Sequence, residues 1–144
     1  MAAISAAILV FTGVWVESEE DGDLPPQLQY RHKVMEAVGA HMDGIVAIVR
    51  EEVDHSDHLL SHAEAMHGLA KITPDIFPPG SEGGDALSEI WEDPEEFSEK
   101  LVEFREAASH FADTVRSADK ADLPASLRRL GQSCRGCHRS YRKR

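Results

Sequence analysis

A chain of 144 residues has room for one domain around one core, and a hydrophobic share of 42% excludes a largely disordered polymer. Its 26 acidic residues outnumber 15 basic ones for a formal net charge of −11, which argues against nucleic acid as a partner. The charge is uneven: residues 128–144 carry seven Lys or Arg and no Asp or Glu, a basic end on an acidic body.

Residues 1–24 read as an export signal or N-terminal membrane anchor followed by an acidic linker. Residues 2–16 carry no charge and 17–23 are rich in Glu and Asp. The apolar run is short for a membrane span and close to the core of a signal peptide. It lacks a basic leader and an Ala-x-Ala cleavage site, so either the start is truncated or the segment stays on as an anchor; a buried N-terminal helix is the plain alternative. Residues 25–144 are predicted to form the folded domain.

The first helix is predicted from Pro25 or Pro26, since proline suits a first turn, to about Glu52. Its inward stripe is Leu28, Arg31, Met35, Val38, Met42, Ile45 and Val49, spaced three and four apart. Arg31 is a charge on that stripe and needs either an anionic partner or an outward path along its own stem. The second helix is predicted from about Ser56 to Ile72, with Leu59, Ala63, Met66, Leu69 and Ala70 inward. His55, His58 and His62 share one of its faces; such a trio fits zinc or copper, or is simply solvated.

Helical periodicity stops between Thr73 and Asp93, where Pro74, Pro78, Pro79, Gly80, Gly83 and Gly84 mark a long connection. Ile76, Phe77, Ile90 and Trp91 are its expected anchors to the core. The third long helix opens on Asp93 as N-cap with Pro94 in its first position, and buries Phe97, Leu101, Phe104, Ala108, Phe111 and Val115. The last begins near Leu123 or Pro124, with the stripe Leu123, Leu127, Leu130, Cys134, Cys137 and Tyr141. Four helical segments of this kind predict an all-α, antiparallel four-helix bundle.

The only two cysteines lie in Cys134-Arg135-Gly136-Cys137-His138. Two thiols about one helical turn apart can add to the two vinyl groups of one porphyrin, and His138 can then bind the iron from the proximal side. Because both cysteines fall on the inward stripe, the haem is predicted inside the bundle. A dithiol redox pair, half of a zinc site and a simple disulfide are the competing readings. No strand–helix–strand pattern accompanies the pair, and no further cysteine could complete a zinc site. Haem of this covalent type is attached outside the bacterial cytoplasm, in keeping with an export segment. The basic end suits docking of an acidic redox partner, or service to the helix terminus and haem propionates.

The chain resembles a class II cytochrome c of the cytochrome c′ type over about residues 30–144. The marks are the haem motif at the carboxyl end, Tyr30-Arg31 opening the first helix, and Phe77-Pro78-Pro79-Gly80-Ser81-Glu82-Gly83-Gly84-Asp85 leading to Glu89-Ile90-Trp91. Tyr141-Arg142 after the haem histidine is the last. The resemblance implies one haem c held by Cys134 and Cys137, His138 on the iron, Arg31 near a propionate, and Arg142 beside the proximal imidazole. It also implies haem contacts from Asp85 and from His32, although position 32 is often glutamine in the family. At the position of Met35 the family splits: an apolar residue covers an open iron, or a methionine binds as sixth ligand.

Two functions follow from that split. One is periplasmic one-electron transfer with redox partner proteins; the other is binding of nitric oxide or carbon monoxide on five-coordinate iron. No nucleophile stands out beside a base, so an enzyme is not expected. Homodimerisation through the first two helices is implied by the resemblance alone.

Overall fold

The computed structural model describes residues 24–144. The expectations for residues 1–23 of the amino-terminal segment lie outside the described residues. The long helices are α1 (Pro26–Val49), α2 (Leu59–Ile72), α4 (Pro94–Arg116) and α5 (Leu123–Tyr141), with a one-turn α3 (Glu89–Glu92) in the connection between α2 and α4. They form the antiparallel four-helix bundle that the spacing predicts. Short 3₁₀ turns, Ser56–His58 and Thr73–Ile76, stand on either side of α2.

Helix ends follow local chemistry. Asp93 caps α4 by accepting from the Glu96 amide at 3.1 Å, ahead of Pro94. α1 stops at Val49, three residues short of the predicted end. Glu51 takes a left-handed φ of 57°, while the Glu52 amide donates to Ala47 O and the Glu51 amide to Ile48 O. That is the Schellman closure usually given to glycine. Ala118, also at φ 57°, closes α4 the same way.

The main core joins Val38 and Ile45 of α1, Ala63, Met66 and Ala70 of α2, Phe104, Ala108 and Phe111 of α4, and Leu130 of α5. α1 packs along α2, α2 along α4, and α4 along α5; α1 and α5 share much less of the remaining side. On that side Met35, Met42 and Val49 of α1 and Leu127, Cys134 and Cys137 of α5 are only half-buried. The fully buried stripe of α1 runs instead through Leu28, Arg31, Val34, Val38, Ile45 and Ile48. The methyl of Met42 would stand 3.5 Å from a Cβ built at Gly131, so the half-buried edge of α1 faces α5.

α1 and α2 are also joined by His41 and His62, whose Nδ1 atoms lie 3.1 Å apart. The His62 ring lies so close over Gly44 that a Cβ there would meet it at 2.6 Å. Burial, then the nearby His41 and His58, lower the pKa of His62 below the ordinary 6.5. The fold therefore favours the neutral ring: its contribution is complete above pH 6.5 and is lost as pH falls through the lower folded-state value. Urea midpoints should drop between pH 7.5 and pH 5, and by less in His62→Gln. Equal drops in the two proteins would contradict the assignment.

Candidate haem-binding site

The candidate site gathers where α1 begins, α5 ends and the 77–93 connection crosses between them. The connection turns on glycines: Gly80, Gly83 and Gly84 have φ of 81°, 124° and 60°, which L side chains seldom adopt. Arg31 grips it from α1. Its Nη1 donates to Ser81 O at 2.8 Å and its Nη2 to Gly83 O at 2.8 Å. The guanidinium carbon lies 5.2 Å from the Phe77 ring centroid and 5.5 Å from that of Trp91. At 6% exposure Arg31 does not snorkel to solvent. Desolvation lowers its pKa and Glu82 opposes the shift; an arginine nevertheless stays charged.

The end of α5 holds the same connection from the other side. The Leu87 amide donates to Tyr141 O at 3.0 Å, the Lys143 amide to Asp85 O at 2.8 Å, and Lys143 Nζ to Gly84 O at 2.7 Å. Ala86 and Arg142 pair as an isolated antiparallel bridge. Arg31, Asp85 and Arg142 thus come together through one strap of backbone. His32, the next residue on α1, is half-buried and its ring nitrogen lies 3.2 Å from Glu36 Oε1. Met35 lies one turn on from Arg31.

Cys134 packs against the main core, and Cys137 against a second cluster of Ile90, Phe97 and Tyr141 that also takes in Phe77, Trp91 and Leu101. Phe77, Ile90, Trp91, Phe97 and Leu101 also line a cleft of about 440 Å³ under the strap. The two cysteines are not joined. Burial raises both thiol pKa values, that of Cys137 to about 11, with Cys134 adding to the shift at Cys137. Such thiols are protonated at neutral pH and are poor redox nucleophiles. Among the described residues no His, Asp or Glu gathers with them closely enough to complete a metal site. His138 lies at the surface, and desolvation followed by Arg142 lowers its pKa, so its ring is neutral at pH 7. Paired thiols on a half-buried apolar face and an adjacent imidazole are a donor set that fits a covalently attached haem, with aromatic rings and a buried guanidinium close by.

The sequence profile described as Cytochrome C' matches residues 26–142. The chain belongs to that family. It is 30% identical over 119 residues to the cytochrome c' of Pararhodospirillum photometricum, a match covering 81% of this chain and 95% of the relative. A nitric oxide complex of a cytochrome c prime variant from Alcaligenes xylosoxidans superimposes with a TM-score of 0.77 at 27% identity, covering 82% of this chain and 94% of that one. A carbon monoxide-bound variant from the same organism gives the same values. Family membership makes covalent haem c the cofactor and the bundle its housing.

The long-range grip on the strap was outside the reach of the sequence reading. Ser81 O and Gly83 O are backbone atoms, and nothing in the sequence around Lys143 marks its bond to Gly84 O. His41, separated from His62 by 21 residues, was also missed; a histidine at a compatible height on the neighbouring helix was its only signal.

Proposed function

We propose that the chain is a one-electron carrier of the bacterial periplasm, residues 1–24 directing export and 25–144 forming the haem domain. Cys134 and Cys137 supply the thioether links, His138 the proximal nitrogen, and Met35 the distal sulfur. Arg31 offers its remaining N–H groups to a propionate, with Asp85, Arg142 and His32 as further contacts. The haem supplies a one-electron iron couple whose potential its ligands and burial tune.

The observation that carries this reading is the setting of the attachment turn. Exposed Arg135, Arg139, Arg142, Lys143 and Arg144 surround it, which supports a basic face that an acidic redox partner can approach. Catalysis is not part of the reading. Pairing of two chains through α1 and α2 is, and exposed apolar Leu60 and Ile72 on α2 support it. Among the described residues no helix is long and apolar enough to cross a membrane.

Gas binding is the second reading, favoured by the nitric oxide and carbon monoxide complexes of the structural relatives. Optical spectra separate the two. Electron transfer through a methionine-ligated iron predicts a low-spin ferrous spectrum that carbon monoxide does not change, and Met35→Ala should make it high-spin and carbon monoxide-sensitive. A native high-spin spectrum that shifts with the gas favours the second reading. An unchanged low-spin spectrum in Met35→Ala removes Met35 as a ligand.

A further inference from the structure

The histidine face of α2 divides in two. His62 turns to His41 across the helix interface, whereas His55 and His58 stack, with ring centroids 4.9 Å apart and planes inclined by 6°. His55 precedes the 3₁₀ turn Ser56–His58, and the His58 amide donates to His55 O at 3.0 Å, which closes the turn that holds the two residues together. Asp57, which the trio omitted, joins them: its Oδ2 lies 3.6 Å from His58 Nε2. One ligand atom from each of His55, Asp57 and His58 falls within 4.8 Å of the other two.

We propose that His55, Asp57 and His58 form a surface site for a divalent transition-metal ion of the imidazole-favouring class, zinc being the committed case. Two imidazoles and a carboxylate are a borderline-soft donor set that suits zinc better than calcium or magnesium. With zinc–nitrogen bonds of about 2.0–2.1 Å, tetrahedral ligand atoms stand roughly 3.4 Å apart. The three ligand atoms, all within 4.8 Å of one another, are close to that spacing before any metal is bound. All three side chains are exposed on one short turn, so rotamer changes complete the fit without moving α1 or α2. Glu51, Glu52 and Asp54, exposed on the same connection, add negative potential that concentrates a cation. The fourth position is left to water.

The site is remote from the haem region. Arg31 and Val49 are separated along α1 by 18 residues, about 27 Å at the helical rise, and the α1–α2 connection lies beyond Val49. Zinc is redox-silent, so its binding is read independently of the iron.

The test is calorimetric titration of the haem-loaded full chain with zinc chloride. A single saturable zinc per chain is expected, with unchanged visible absorption. His58→Ala and His55→Ala should each weaken it by more than the roughly tenfold that loss of an outer partner costs a metal site, and Asp57→Asn should weaken it measurably. His62→Ala should leave it unchanged. No saturable binding in the wild type would overturn the proposal. So would full binding in His55→Ala/His58→Ala, or loss confined to His62→Ala, which would move the metal to the His41–His62 pair.

Discussion

Cys134→Ser together with Cys137→Ser should yield a chain from which an acid–acetone wash removes all haem, whereas the wild type should keep its colour in the protein fraction. The effect is total because a thioether is a covalent bond, while serine leaves only packing and whatever bond His138 makes to iron. Serine keeps the shape of cysteine with a smaller, more polar atom in place of sulfur, so the attachment chemistry and not the helix is the target of the change. Both positions are half-buried against apolar neighbours, and the new hydroxyls can turn back to carbonyls one turn earlier in α5. A single substitution should retain colour through the other link. Colour that persists in the double variant would remove both cysteines from the site, and the bundle would then need another point of attachment.

What could be read from the sequence was whatever a helix expresses within a turn or two. The Asp93-Pro94 start of α4 is a local contest for amide protons. The alternation that carries α5 through Cys134 and Cys137 is likewise local. The cap and the helix match the structure, but of the predicted stripe only Leu130 and Tyr141 are buried, while Leu123, Leu127, Cys134 and Cys137 are half-buried and Ser126, Gly131 and Ser133 are buried instead. The stripe on α1 was less sharply defined. Three-four spacing marks a broad face, and only the neighbours decide which edge is covered: Val34 and Ile48 are buried, while Met35 and Val49 are half-exposed. The ends of α1 and α4 were hidden for a different reason. Their left-handed residues are Glu51 and Ala118, neither of which announces such a conformation. The histidine trio divides because helical spacing does not imply shared company: a 3₁₀ turn holds His55 and His58 together, and a ring on α1 pairs with His62. Arg31 was legible as an anomaly, but its backbone partners about fifty residues away were not.

Arg31→Ala should lower unfolding stability by about 3 kcal/mol, the order expected when charge-assisted hydrogen bonds and a cation–π contact are removed from a buried position. Two carbonyls, Ser81 O and Gly83 O, lose a common donor, and Phe77 and Trp91 lose the group between them. Relief of burying a guanidinium offsets part of the cost. The damage should be local at first. Amide exchange should quicken at Ser81 and Ala86, whose own bonds close the turns beside Arg31. The Leu87 and Lys143 amides, which donate to Tyr141 O and Asp85 O between the strap and the end of α5, should follow less. An unchanged urea midpoint with unchanged exchange in the strap would show that Arg31 does not hold it. Arg31→Lys separates charge from shape, since an ammonium is a point donor and cannot span Ser81 O and Gly83 O as the planar fork does. Recovery by lysine would place the energy in the charge, and a loss equal to that of alanine would place it in the fork.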